Sequence, residues 1–343
     1  MKIIVAIDSL KGCLTSTEAN RAVAEEISSR MPDAEVVQLA VSDGGEGWLE
    51  AFRNVLGGSI TEVKVKDPLM RDTMAQYLME GNTAVIEMAQ ASGLALLSKE
   101  ERNPMVATSY GTGQLVADAV KKGARHIIVG LGGSGTSDCG KGMLEAIHDE
   151  ECIINNDVRF TIAADVNNPL CGERGAAKVF GPQKGATPEM VEKLDAQARE
   201  FAEVSAKQMG YDCKDLPGAG AAGGLGYAFM QYMNAEYRSG AELLLETAGF
   251  DQMLHGTSMV ITGEGKADRQ TLMGKLPQVI LQHARRMGVP VMLIAGKVDD
   301  RQQLLDAGFD RVECINPSTL STDEAMKPET AKKNLKRVLV YRL

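Results

Sequence analysis

The hydroxyls of Ser134, Thr136 and Ser137 and the carboxylate of Asp138 stand within five residues of one another, in a loop that holds six glycines between positions 130 and 142. An apolar run of β type, residues 126–130, enters this loop. An amphipathic helical pattern, residues 143–147, leaves it. Strand, glycine loop and helix together present backbone N–H groups and a helix N-terminus to an anion, most often phosphate. Gly132, Gly133, Ser134, Gly135 and Thr136 are the residues that would line such a cradle. Asp138 adds a group that could face a metal or accept a proton.

Four other segments end in similar chemistry: Asp8 with Lys11, Asp43 with Glu46, Glu264 with Lys266 and Asp268, and Lys297 with Asp299. Turns need Gly or Asn, not so many ionised groups. Paired acids such as Asp43 and Glu46 suit Mg²⁺ or an alcohol proton. Lys11 suits a substrate carboxylate or a phosphate.

Two short motifs fire in the glycine loop and neither fits its context. Gly130 to Gly135 matches G-x-G-x-x-G, yet the acids about 20 residues on (Asp149, Glu150, Glu151) follow a helix rather than a second strand. Gly135 to Lys141 matches G-x-x-x-x-G-K, but Gly142 stands where a P-loop places the Ser or Thr that holds Mg²⁺. Residues 217–226 hold a further G-x-G-x-x-G with no strand before it; close packing or a hinge explains it better.

The elements that position these groups read as α/β. Residues 2–7 form a continuous apolar run, as in a strand buried in a parallel sheet. A helix follows from Ser16 or Thr17 to about Met31, stopped by Pro32. Residues 35–41 form the second strand, and a second helix runs to about Leu56. Residues 59–66 and 72–79 then alternate, and 83–88 are apolar, which reads as an antiparallel meander. Helices are expected over 114–122 and 188–208, and a strand over 158–164. The parallel pattern returns at 258–262, 289–295 and 311–315, with a helix over about 276–287. The expected architecture is two α/β domains. One is a parallel Rossmann- or flavodoxin-like sheet built from residues 1–58 plus 258–343. The other is an inserted mixed α/β domain, 59–257, that carries the glycine loop.

The chain has 343 residues, with 44% hydrophobic and 24% charged, enough for a sizeable core and two domains. Its net charge of −9 argues against a nucleic-acid or anionic-membrane partner, since both need clustered Lys and Arg. The six cysteines form no C-x-x-C and have no His at metal spacing, as expected of reduced thiols. With no apolar run of membrane length, the expectation is a soluble, cytoplasmic protein. No G-x-S-x-G elbow is present and no His partners Cys13 or Cys139, so nucleophilic catalysis is the weaker reading. Acids and cations at strand ends, with a phosphate-type loop across a two-domain cleft, suit phosphoryl transfer, which is mostly positioning and charge neutralisation.

These residues resemble the blocks of the type I glycerate kinases. The match runs through Asp8-Ser9-Leu10-Lys11-Gly12, Ser42-Asp43-Gly44-Gly45-Glu46-Gly47, Asp67-Pro68-Leu69, Arg102-Asn103-Pro104 and Gly111-Thr112-Gly113. It continues through residues 130–143, Asp165-Val166-Asn167-Asn168-Pro169-Leu170, residues 180–185, 217–226 and 261–268, and Gly274-Lys275. The blocks are colinear over nearly the whole chain. The resemblance implies an ATP- and Mg²⁺-dependent kinase of D-glycerate, yielding 2-phosphoglycerate, or 3-phosphoglycerate as the second option. Asp8, Lys11, Asp43, Glu46 and Asp138 are then the catalytic candidates, with Asp43 or Asp138 as proton acceptor. Lys11, Arg71 and Ser42 are substrate-binding candidates. Lys184, Glu264, Lys266 and Asp268 join 132–136 for ATP, and Asp43 and Asp165 are candidates for Mg²⁺.

The chain departs from the family pattern at Gly135, Ser137, Cys139 and Lys141, at Trp48, and in a shortened stretch over 148–158. Partners are expected to be small molecules, with a homodimer compatible. Three other readings stay open: a kinase of another small hydroxy-acid, a catalytically silent sugar-acid-binding protein on the same fold, and an NAD-linked oxidoreductase.

Overall fold

A computed structural model describes residues 1–340. Its strands are β1 Lys2–Ile7, β2 Glu35–Gln38, β3 Ser59–Lys66, β4 Asp72–Glu80, β5 Thr83–Glu87, β6 His126–Gly130, β7 Arg159–Ala163, β8 Glu236–Arg238, β9 Thr257–Ala267, β10 Val291–Val298 and β11 Arg311–Cys314. The chain divides into two compact units, one made of Met1–Asp43 and the chain from Ala241 onward, the other of Gly44–Gly240. No helix among the described residues is long and apolar enough to cross a membrane.

The first unit holds a sheet in the order β11-β10-β9-β1-β2, every neighbouring pair parallel. Counted within the unit this is the flavodoxin-like order 2-1-3-4-5. Ile3, Ile4, Val5, Ala6 and Ile7 are all fully buried, as a strand covered on both faces requires. The helix Ser16–Arg30 covers one face through Ala19, Ala22, Val23 and Ile27. Its N-cap is Thr15, not Ser16 or Thr17: Thr15 and Glu18 form a reciprocal capping box. Ser16 is instead a tie, donating to the Ile7 carbonyl at 2.6 Å and accepting from the Val41 N–H at 2.9 Å. Asn20 repeats the device between the end of β1 and the Leu39 carbonyl.

The second unit holds a mixed sheet, β3-β4-β5-β6-β7-β8, antiparallel through β5 and parallel from β5 to β8. The meander is therefore one half of a larger sheet. β8, three residues long, carried no apolar run to signal it.

The unit boundaries fall at 43/44 and 240/241, where the sequence suggested 58/59 and 257/258. The helix Trp48–Leu56 packs on β4 and β5, with Trp48 and Phe52 fully buried and their rings 4.5 Å apart. At the other junction, His283 on the helix Leu276–Arg286 bonds Asp251 at 2.6 Å and Glu242 at 2.9 Å, which ties residues 242–251 to the first unit.

Candidate functional site

In the first unit, β1 leads to β2 on one side and β9 leads to β10 and β11 on the other. The crevice between the carboxyl ends of β1 and β9 is the topological switch point, where open parallel sheets bind ligands. A cavity of about 380 Å³ lies there, with Asp8, Ser9, Lys11, Asp43 and Glu264 among its polar lining.

The Asp8 carboxylate accepts the Ser9 N–H at 2.7 Å. Burial pushes its pKa up to about 8, and the nearby charge of Asp43 adds to the rise, against the opposing pull of the Ser9 N–H and Lys11. Glu264 accepts from Thr271 at 2.6 Å and from Lys275 at 3.1 Å, yet burial still raises its pKa. Lys11 is exposed and makes no ion pair among the described residues. The Ser9 hydroxyl is buried and has no hydrogen-bond partner among the described residues. Lys266 pairs with Asp268 at 2.8 Å and with Asp299 at 3.3 Å, and Lys297 shares Asp299, so this part of the expected set is a surface ion network. Asp268 also caps the turn Arg269–Leu272.

In the second unit the glycine loop is packed against its own protein. Gly132 N–H donates to the Gly44 carbonyl and Gly135 N–H to the Ser92 carbonyl, each at 2.9 Å. A Cβ on Gly132 would stand 2.4 Å from the Gly45 Cα, and Gly133 has φ +76°. These two glycines serve a close approach and a left-handed turn. Beneath them, the fully buried Lys184 donates to Ser134 Oγ at 2.8 Å and to the Thr136 carbonyl at 2.6 Å. Burial pulls its pKa down to about 7. Thr136 Oγ1 and Ser137 Oγ are buried without partners among the described residues.

Asp138 accepts from the N–H groups of Ser109, Gly140 and Gly142 at 2.7, 3.1 and 3.2 Å, and from the Ser109 hydroxyl at 2.8 Å. It ties the starts of the helices Tyr110–Lys121 and Lys141–Asp149 together. With its lone pairs so engaged, Asp138 is placed as a brace rather than as a proton acceptor. Arg71 is likewise committed, to Asp67 and Glu101, both at 2.6 Å. Asp165 accepts from Ser239 at 2.9 Å and Gly240 N–H at 3.1 Å. Glu46 stands near a carboxyl the sequence reading passed over. Glu87, at the end of β5, accepts the Leu49 N–H at 3.3 Å, and burial, with a smaller push from Glu46, raises its pKa to about 7.

The expected residues thus fall into two sets. Asp8, Lys11, Ser42, Asp43, Glu264, Lys266 and Asp268 belong to the first unit. Glu46, Arg71, residues 132–136, Asp138, Asp165 and Lys184 belong to the second. The two Mg²⁺ candidates are divided between them, Asp43 in the first and Asp165 in the second. Among the described residues no group of three or more His, Cys, Asp or Glu is arranged to hold a metal ion. Ser9 and Glu87 were the residues missed. Each is a polar residue adjoining the end of a buried strand, the one signal that could have found them.

The crevice of the first unit can hold an anion through Lys11 and take up a proton at Asp8. The glycerate kinase family model matches residues 3–152 and 149–340. A glycerate kinase of Halalkalibacterium halodurans and the glycerate 2-kinase of Escherichia coli K12 are each 38% identical, over 95% of this chain and 93% of the relative. A crystal structure from Salmonella typhimurium LT2, assigned as a glycerate kinase 2, superposes with a TM-score of 0.80 at 35% identity, covering 99% of this chain and 98% of the other. Full-length family matches and near-complete coverage of these relatives agree with the paired-unit α/β fold: the chain belongs to the glycerate kinase family.

Proposed function

We propose that the chain transfers the γ-phosphoryl group of ATP to the 2-hydroxyl of D-glycerate. Family membership supports a glycerate-phosphorylating enzyme, and the relative named glycerate 2-kinase supports the 2-position. The observation that carries the reading is the buried Asp8 carboxyl, held near pH 8 beside Asp43, with the unpaired Lys11 in the same crevice. A base whose pKa lies near the working pH combines a usable ionised fraction with a real driving force for proton transfer.

In this reading Asp8, its pKa raised by burial and by neighbouring Asp43, accepts the proton of the substrate hydroxyl. The hydroxyl oxygen bonds to the γ-phosphorus as the bond from that phosphorus to the bridging oxygen breaks, and ADP leaves. Lys11 neutralises charge on the anionic reactants. In the second unit, the hydroxyls of Thr136 and Ser137 are uncommitted among the described residues. Mg²⁺ fits a site of this kind through Asp43, since one or two carboxylates suffice when phosphates and water complete its octahedron. It would supply charge neutralisation at the phosphates.

The test is ADP release by the purified chain with MgATP and D-glycerate, followed by ³¹P and ¹H NMR of the product. Turnover that requires both reactants, with phosphate on the 2-carbon, supports the proposal. Phosphate on the 3-carbon, or turnover with other hydroxy-acids and not with D-glycerate, overturns it.

A further inference from the structure

The cavity at the β1–β9 switch point is lined by two kinds of side chain. Asp8, Ser9, Lys11, Asp43, Glu264, Lys266, Lys275 and Asn316 are polar. Leu10, Leu276, Pro277, Ile315, Ala325 and Met326, which come from four separate segments of the first unit, are apolar. Its volume of about 380 Å³ falls in the range of about 300–1,000 Å³ that holds drug-sized ligands. A three-carbon acid carrying a carboxylate and two hydroxyls has no apolar face to offer those walls and would leave most of the volume unfilled. Polar surface against the wall would lose its water without gaining partners. A ligand that matches both kinds of lining has a flat, largely apolar body and an anionic tail.

Two features of the polar lining fix where the tail goes. Lys11 is exposed with no acid within ion-pair distance among the described residues, and Ser9 Oγ is buried with its hydrogen-bonding capacity unspent. Both follow directly on β1, so a phosphate beside them would lie outside the carboxyl end of the strand, next to Asp8 and Asp43.

We propose that this cavity is the nucleoside subsite of the phosphoryl donor, with the purine between Leu10, Leu276, Pro277 and Met326 and the phosphate chain leaving past Ser9 and Lys11. The proposal rests on the kinase reading and moves the nucleotide base away from the glycine loop, to the first unit. Ser9 becomes a nucleotide-binding residue, and the Asp8 carboxylate that takes up the acceptor's proton stands beside the phosphate chain.

Cys13 also lines the cavity and serves as a reporter that needs no substitution. The full-length chain is treated with N-ethylmaleimide, and labelling of Cys13 is followed by peptide mass spectrometry with AMP, ADP or D-glycerate present. AMP and ADP should slow labelling at least fivefold and D-glycerate should not. Ala325→Trp, which puts bulk among the apolar lining residues, should raise the Kd for a fluorescent N-methylanthraniloyl-ADP and the KM for MgATP tenfold or more, leaving the D-glycerate KM within twofold. Ser9→Ala should weaken the same ADP analogue three- to tenfold. Protection of Cys13 by D-glycerate alone, or unchanged nucleotide binding in a folded Ala325→Trp protein, overturns the proposal. If Ala325→Trp does not fold, the labelling result on the wild-type chain decides. Nucleotide protection of Cys13 without glycerate turnover would leave the subsite standing and sink the kinase reading; turnover without protection would do the reverse.

Discussion

Lys184 Nζ lies 2.8 Å from Ser134 Oγ, both sealed from solvent, and a second bond to the Thr136 carbonyl at 2.6 Å holds the glycine loop from beneath. A lysine expected to reach a phosphate is instead the post on which the loop rests. Removing it leaves a buried carbonyl and hydroxyl unsatisfied, a loss on the order of 1–3 kcal/mol. Lys184→Met should lower the urea midpoint accordingly at pH 7. The folded pKa of about 7 lies below the ordinary lysine value, so the unfolded chain binds more protons above pH 7. This lysine therefore makes stability rise between about pH 7 and pH 10, and Lys184→Met should lose that rise. An unchanged pH dependence would show that the buried ammonium is not the titrating group.

Asp8 runs with the opposite sign. Its folded pKa of about 8 stands above the unfolded value of 3.8, so the folded chain binds the extra proton. Stability from this group is fully present below about pH 4 and is lost as pH rises through 8. Asp8→Asn should therefore melt at a higher temperature than wild type at pH 8.5, by several degrees, with the gap closing toward pH 5. Its kcat should fall by about 10²- to 10⁴-fold, the usual worth of a positioned acid or base. A variant that keeps wild-type kcat would remove Asp8 from the chemistry.

His283 binds Asp251 and Glu242 through its two ring nitrogens. Burial pulls its pKa down, but the two carboxylate contacts outweigh it and the net shift is upward. The stabilisation is present below the unfolded value near 6.5 and is lost as pH rises through the folded pKa. His283→Gln should flatten that fall in melting temperature. A variant whose curve still falls in parallel with wild type would place the titration elsewhere.

Asp138 accepts four hydrogen bonds within 3.2 Å from two helix starts. Asp138→Ala should cost at least about 1.5–3 kcal/mol, the range for one hydrogen bond to a charged group. Asp138→Asn should recover part of it. Kinetics measured on the folded fraction at 15 °C should show kcat reduced far less than by Asp8→Asn. A kcat loss as deep as that of Asp8→Asn in a well-folded Asp138→Asn protein would return Asp138 to the catalytic set.

Much of the fold was legible in the sequence because its signals are local. An unbroken apolar run as short as residues 3–7 reads as a strand covered on both faces, and acids at the ends of such strands point to the edge where a parallel sheet binds. The colinear motifs carried the family. What stayed hidden was direction. Glycines at 132 and 133 announced a close approach, but a bare backbone reads the same whether a phosphate or Gly45 comes near. The charges of Lys184, Asp138 and Arg71 read as reactive because a side chain's partner tens of residues away leaves no trace beside it. Their roles as post, brace and paired cation depend on contacts at separations of 48, 29 and 30 residues. Residue type and spacing determined which groups reach the strand ends. Only the tertiary structure decided which of them keep an unspent charge or hydroxyl once the protein's own backbone has taken its share.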